Sequence, residues 1–124
     1  MTTDCPFCTL NPRTLVLANE LAVAFYDRYP VSHGHLLIIL RRHVASYFEA
    51  TPTEQTALME LVNQGKKKLD QEFHPDGYNI GINIGTAAGQ TVPHLHIHLI
   101  PRYQGDQVDP RGGVRGVIPE KQKY

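Results

Sequence analysis

The chain has no excess charge of either sign. Across 124 residues, 12 Lys and Arg balance 12 Asp and Glu, for a formal net charge of zero. A protein whose main partner is a nucleic acid polymer or an anionic membrane relies on a basic surplus, so neither partner is expected. Long apolar runs are missing too: the longest aliphatic run, Leu36–Leu40, falls far short of the ~20 residues a spanning helix needs. The start, Met1-Thr2-Thr3-Asp4-Cys5, has no basic segment followed by an apolar one. No secretory signal is therefore read, and a cytoplasmic location is expected. Cysteine is scarce, with Cys5 and Cys8 alone. In a reducing compartment such a pair consists of thiols or metal ligands rather than a disulfide. Neither internal repeats nor low-complexity stretches occur. With 41% apolar and 19% charged residues, the composition is that of one globular domain large enough for a real core.

What the chain has in quantity is histidine. Six of its seven histidines fall in two groups, His33, His35 and His43, then His94, His96 and His98, with His74 apart from both. Around them the sequence reads as short strands and one long helix. Leu15–Leu17, Leu21–Asp27, His35–Arg41, Tyr78–Ile84 and His94–Ile100 are strand candidates, the last stopped by Pro101. Thr51-Pro52-Thr53-Glu54 combines a capping box with proline at the first helical position. Leu58, Leu61, Val62, Gly65 and Leu69 then follow at helical spacing. Gly65 on that inward stripe lets the helix approach the sheet closely, whereas Lys66, Lys67 and Lys68 form a solvated face. The pattern predicts an α+β fold, an antiparallel sheet of about five strands covered on one face by one long helix and a short helix.

In His94-Leu95-His96-Ile97-His98-Leu99 every second residue is a histidine. A strand alternates faces, so the three imidazoles share one side at steps of ~6.6 Å, and the leucines and isoleucine share the other. Two chemistries suit such a row: chelation of one metal ion, or nucleophilic attack by an imidazole that is neutral near pH 7. The preceding Gly85-Thr86-Ala87-Ala88-Gly89-Gln90-Thr91 offers backbone N–H groups, an amide and a hydroxyl, a combination suited to phosphate.

Gly89-Gln90-Thr91-Val92-Pro93-His94-Leu95-His96-Ile97-His98-Leu99 resembles the signature of the histidine triad family of nucleotide hydrolases and transferases. Phe25-Tyr26-Asp27 with Pro30, Gly34-His35-Leu36-Leu37-Ile38 and Gly81-Ile82-Asn83-Ile84-Gly85 extend the likeness from about Cys5 to Arg102. The resemblance implies that His96 attacks the α-phosphorus to form a nucleotidyl-histidine, which water then releases as a nucleoside monophosphate. His98 donates to the phosphate and helps the leaving group depart, and His35 supports the cluster from the neighbouring strand. Gln90 and Thr91 hold phosphate oxygens, Asn83 reaches the phosphate or the leaving-group side, and Asp27 accepts from the ribose hydroxyls. Phe7, Leu10, Phe25 and Leu37 are candidates for the base pocket, or for plain core. A two-fold homodimer is also implied.

Cys5-Pro6-Phe7-Cys8 reads as a redox pair, as two buried thiols, or as half of a zinc site. By the same resemblance, Cys5, Cys8, His43 and His94 surround one structural Zn²⁺, and no organic cofactor is expected. Residues 1–102 would then form the catalytic domain with its zinc-binding segment. Residues 103–124 would form a tail in contact with the active site or a dimer partner, its Arg111 and Arg115 reaching a polyphosphate or lying solvated. The expected substrate is a dinucleoside polyphosphate cleaved at the α-phosphorus. The alternatives are an AMP-amine phosphoramidate or acyl-AMP as substrate, a nucleotide sensor or scaffold with little catalysis, and a catalytic metal held by the three histidines. His33 and His74 have no assigned role beyond loop positions.

Overall fold

A computed structural model describes residues 5–124. Five strands form one antiparallel sheet: β1 (Leu15–Ala18), β2 (Ala22–Tyr26), β3 (Leu36–Leu40), β4 (Gly77–Ile82) and β5 (His96–Arg102). Their spatial order is β1-β2-β3-β5-β4, so the last strand inserts between the third and the fourth. The helix α1 (Pro52–Phe73) lies between β3 and β4 in sequence. The expected short helix takes the form of 3-10 turns, among them Tyr47–Glu49. No helix among the described residues is long and apolar enough to cross a membrane.

The helix begins as its sequence dictates. Thr51 Oγ1 accepts from the Glu54 N–H at 3.1 Å, and Glu54 Oε1 accepts from the Thr51 N–H at 2.9 Å, satisfying two orphan donors of the first turn. Arg42 adds a two-point fork onto the same carboxylate at 2.8 and 2.9 Å. Burial of Glu54 is thereby compensated, and its pKa is held down to about 2, first by the Arg42 hydrogen bonds. At the other end His74 closes the helix in the left-handed region, φ 52°, with its side chain exposed.

The apolar stripe of α1 covers one face of the sheet. Leu58, Leu61, Val62 and Leu69 pack with Leu36, Ile38, Leu40, Leu95, Ile97 and Leu99 in the main core. Gly65 sits at the point of closest approach: a Cβ there would stand 2.9 Å from Leu36 Cδ2 and 3.1 Å from Leu99 Cδ2. Lys66 and Lys68 face outward and pair with Asp70 and Glu72 one turn on. The opposite face of the sheet carries a smaller cluster, Val23, Phe25, Leu37 and Ile39, with Phe7, Leu10 and Leu15 packed against it.

Two features depart from the sequence expectation. Pro101 does not stop the last strand; it is buried within β5 and pairs with Tyr78. The register explains this, because β3 pairing ends at Leu36–Leu99. Beyond that point β5 has a neighbour on one side only, where a residue without an N–H is tolerated. His94 lies ahead of β5 rather than at its start, which releases its ring from the strand alternation.

Candidate active site and metal centre

The face of the sheet opposite α1 brings most of the singled-out residues together. β5 carries His96 and His98, and register sets His98 opposite Leu37 and His96 opposite Ile39. His35 immediately precedes β3, and Asp27 immediately follows β2, its N–H donating to the His35 carbonyl at 2.9 Å. The histidines are well buried, with His94 at 0%, His35 at 2% and His96 at 8% exposure. Three buried imidazoles would be costly if left unpaired. Here each has partners, and those partners fix which ring nitrogen carries the proton.

The assignment starts from backbone groups that can act in one sense only. The His94 carbonyl lies 2.8 Å from His96 Nδ1 and can only accept, so His96 is protonated at Nδ1 and carries its lone pair on Nε2. The Val31 N–H donates to His35 Nδ1 at 3.1 Å, so the neutral His35 ring holds its proton on Nε2. That N–H reaches His98 Nδ1 at 2.9 Å, with Asp27 Oδ2 at 3.5 Å as a second acceptor. His98 accepts at Nδ1 and therefore presents an N–H at Nε2. A lone pair and a donor thus stand side by side on rings 5.1 Å apart. Burial, followed by the neighbouring His96 and His35, pushes His98 down to about 4. Burial also lowers His35, partly offset by Asp27. Both rings are neutral at pH 7, as this hydrogen-bond chain requires.

The third histidine of the row does different work. His94 Nε2 donates to the Leu40 carbonyl at 2.9 Å, which leaves Nδ1 as a lone pair facing Cys5 Sγ at 3.4 Å and Cys8 Sγ at 3.5 Å. His43 Nδ1 lies 3.1 Å from Cys8 Sγ. One ligand atom from each of Cys5, Cys8, His43 and His94 falls within a 4.8 Å cluster, a possible metal site. A tetrahedral zinc with Zn–S ~2.3 Å and Zn–N ~2.0–2.1 Å sets sulfur and nitrogen about 3.6 Å apart, close to the observed spacing. The His94–Leu40 bond is the kind of outer-shell contact that fixes the tautomer of a ligating histidine. Burial, and then the adjacent Cys5, push the Cys8 thiol up, a penalty that a bound cation would remove.

The other expected residues divide. Asp27 Oδ1 accepts from the Tyr29 N–H at 2.9 Å, leaving Oδ2 toward the histidines. Asn83 follows directly after β4 and is half-buried. Gln90 is turned into its own loop: Oε1 accepts from the Gly85 N–H, and Nε2 donates to the Ala45 and Val92 carbonyls. Thr91 is exposed. Phe7, Leu10, Phe25 and Leu37 do converge, in the smaller cluster, and the Phe7 ring stands 5.4 Å from Phe25 and 5.2 Å from His96.

The tail is a folded knob. Arg115 donates to the Gln122 and Lys121 carbonyls and lies over the Tyr124 ring, while Arg111 lies 3.7 Å from Asp109. Both arginines are therefore engaged within the tail. Gly112, at φ +89°, permits this closure because a side chain there would collide with the Gln122 carbonyl. The groups that set the tautomers, the Val31 N–H and the Leu40 and His94 carbonyls, are not legible in the sequence. A backbone atom has no residue-type signature by which to find it. Nor does any local pattern single out Ser32 and Tyr103. Their hydroxyls donate to the Pro101 and His33 carbonyls, each at 2.7 Å, and tie down the loop that carries Val31.

Comparison with known proteins bears on this arrangement. The HIT domain family matches residues 9–105. The bis(5'-nucleosyl)-tetraphosphatase [asymmetrical] of Schizosaccharomyces pombe is 40% identical over 87 residues, covering 70% of this chain and 48% of that protein. An adenylylsulfatase of Arabidopsis thaliana is 33% identical over 107 residues, covering 83% and 54%. The chain thus spans about half the length of these two relatives. A Zn-bound histidine triad family protein of Mycobacterium smegmatis superposes with a TM-score of 0.79 at 29% identity, covering 88% of this chain and 82% of that one.

Proposed function

The chain belongs to the histidine triad family, and from that premise we propose that it is a nucleotide hydrolase working through a covalent nucleotidyl-histidine. The observation that carries the reading is the pair of complementary tautomers, a lone pair on His96 Nε2 beside an N–H on His98 Nε2. His96 Nε2 attacks the α-phosphorus. The P–N bond forms, and the bond from phosphorus to the leaving group breaks. The imidazolium so created keeps its Nδ1–H on the His94 carbonyl, which disperses the new positive charge. His98 donates to a phosphoryl oxygen where negative charge builds. Water then attacks phosphorus, the P–N electrons return to His96, and the water's proton goes to solvent. His35 holds His98 in its donor tautomer, and Asp27 accepts from ribose hydroxyls. Asn83 and Thr91 contact phosphate, and so does Gln90 once released from its loop. Phe7, Leu10, Phe25 and Leu37 open to take the base.

The substrate is a dinucleoside polyphosphate, the class that the Schizosaccharomyces pombe relative's name also denotes. The neutral His35–His98 pair favours this choice. A phosphoanhydride leaves as an anion that needs no proton, whereas an amine leaving group would take one from a ring that can give it up only as imidazolate. Cys5, Cys8, His43 and His94 would hold one structural zinc ion, which supplies cross-linking and leaves no position for water. Residues 1–102 carry the chemistry, residues 103–124 serve it as a tail, and the protein acts in the cytoplasm as a homodimer.

The test is hydrolysis of diadenosine tetraphosphate and of an AMP-amine phosphoramidate by wild type and His96→Asn. The reading requires turnover by wild type and a loss of several orders of magnitude in the variant. Turnover of the phosphoramidate alone would replace the substrate class. Binding of AMP with no turnover of either compound would make the protein a nucleotide sensor.

A further inference from the structure

β5 runs on past the end of its pairing with β3, which stops at Leu36–Leu99. At Pro101 the strand therefore has no ladder neighbour on that side. Proline has no N–H, so a single backbone group needs a partner there, the carbonyl. Carbonyls alternate sides along a strand. The Arg102 carbonyl accepts from the Asp76 N–H, on the β4 side, so that of Pro101 points to the side that β3 no longer covers. Ser32 Oγ donates to it at 2.7 Å and stands in for the missing strand. Directly after β5, the Tyr103 hydroxyl donates to the His33 carbonyl at 2.7 Å. Tyr103 is itself held, because its N–H donates at 3.0 Å to the Asp106 carboxylate that Arg102 grips.

Two successive residues of the β2–β3 loop are thus bonded to the end of β5. Apolar burial does little to fix this loop, since Tyr29, Val31 and His33 are exposed. Segments with few buried apolar contacts open at low cost. Yet the loop supplies the Val31 N–H, which donates to His35 Nδ1 at 3.1 Å. His35 Nε2 then donates to His98 Nδ1 at 2.9 Å. The path leaves β5 at Pro101, crosses the loop through Ser32 and Val31, and returns to the same strand at His98. It closes a ring around the group that presents its N–H to phosphate.

We infer that Ser32 and Tyr103 are positioning residues for the phosphoryl transfer. Their hydroxyls hold the Val31 N–H on His35, and His35 in turn keeps the His98 Nε2–H aimed at the phosphoryl oxygen. The inference rests on the nucleotidyl-histidine reading above and adds to it two residues that act through the loop backbone. Without either hydroxyl the loop shifts, and the His35 and His98 rings lose their common alignment. A transition-state donor must lie within ~2.7–3.1 Å of the developing charge, and a misplacement of ~1 Å costs up to ~10²-fold in rate.

Ser32→Ala, Ser32→Thr and Tyr103→Phe are compared with wild type in two measurements. One is steady-state hydrolysis of diadenosine tetraphosphate, or of the AMP-amine phosphoramidate if wild type turns over only that compound. The other is NMR on protein with isotope-labelled histidine, which follows solvent exchange of the His35 Nε2 proton. Losing a donor outright costs ~10²–10³ in rate, and misaiming it costs less, so Ser32→Ala and Tyr103→Phe should each lower kcat about tenfold. KM should stay within about twofold of wild type, because the ground-state contacts are untouched. The His35 proton, protected in wild type, should exchange about tenfold faster in both variants. Ser32→Thr keeps the hydroxyl and should keep both properties. Should Ser32→Ala melt early, Tyr103→Phe, which loses one oxygen from a half-buried ring, decides. An unchanged kcat in both variants would overturn the inference and leave the hydrolase reading intact, whatever the exchange rate. So would a loss carried by KM alone, since the hydroxyls would then be substrate contacts. A fall in kcat with the His35 proton still protected would overturn it as well. Turnover of neither compound by wild type would overturn the hydrolase reading and, with it, this inference.

Discussion

Replacing Gly65 by alanine sets two opposed effects against each other, and the structure decides between them. In an exposed helix interior, alanine for glycine stabilises by about 1 kcal/mol. At position 65 the new methyl carbon would stand 2.9 Å from Leu36 Cδ2 and 3.1 Å from Leu99 Cδ2, against a carbon–carbon optimum of ~3.5–4.0 Å. Neither leucine has room to retreat, since they are 0% and 1% exposed and face each other across the β3–β5 seam. Overpacking a filled core costs about 1–3 kcal/mol. The net expectation is a destabilisation of about 1 kcal/mol, or a Tm lower by about 3–5 °C for a chain of this length. Urea denaturation of wild type, Gly65→Ala, Leu36→Val and the double variant measures it. Leu36→Val withdraws the crowding Cδ2, so the two changes should couple favourably by about 1 kcal/mol. If Gly65→Ala proved stabilising by the full helical increment, with no coupling to Leu36, the close approach of α1 to the sheet would be refuted.

Three other perturbations probe the remaining layers. Glu54 has a folded pKa of about 2 against an ordinary 4.5, so its contribution is present above pH 4.5 and disappears as pH falls toward 2. Discounted for the half-exposed Arg42, Glu54→Gln should cost about 2 kcal/mol at pH 7. Urea melts should show the gap to wild type narrowing by pH 3, and a constant gap would contradict the ion-pair origin. His98, lowered to about 4 from 6.5, disfavours protonation in the folded state, so its contribution holds above pH 6.5 and is lost as pH falls toward 4. An NMR titration of labelled histidine should find His98 neutral with its proton on Nε2 at pH 7. A midpoint above 6, or a proton on Nδ1, would break the hydrogen-bond chain. Metal analysis should give one zinc per chain, and Cys8→Ser should lower stability by about 3 kcal/mol or more. Rapid loss of activity on chelation with no fall in Tm, reversed by added metal, would instead indicate a catalytic ion.

The parts of this fold that were legible in the sequence are those written in side-chain period and type. The alternation of His96 and His98 with Ile97 and Leu99, the Thr51–Glu54 box and the inward Gly65 each follow from a local rule, and the structure agrees with all of them. Where the outcome depends on a distant neighbour, the sequence is mute. His94 belongs by spacing to the strand row, yet it turns toward the cysteines because the strand begins two residues later. Pro101 looks like a stop until β3 is seen to end before reaching it. The tail reads as a loose basic segment because nothing local announces that Arg115 folds onto the Lys121 and Gln122 carbonyls.

The sheet order carries a consequence for biosynthesis. β3 is apolar at every position, and its partner on one side, β5, is made about sixty residues later. Until that strand emerges from the ribosome, the nascent chain displays Leu36–Leu40 as an open, uncharged edge, the kind of template onto which other chains add. The helix made in the interval can shield one face of this strand but cannot saturate its backbone. Closing the gap is a long-range event of the sort that slows folding. The same closure brings His35 to His98, so a translation product halted before β5 lacks both a finished sheet and the partner that His35 is placed to meet.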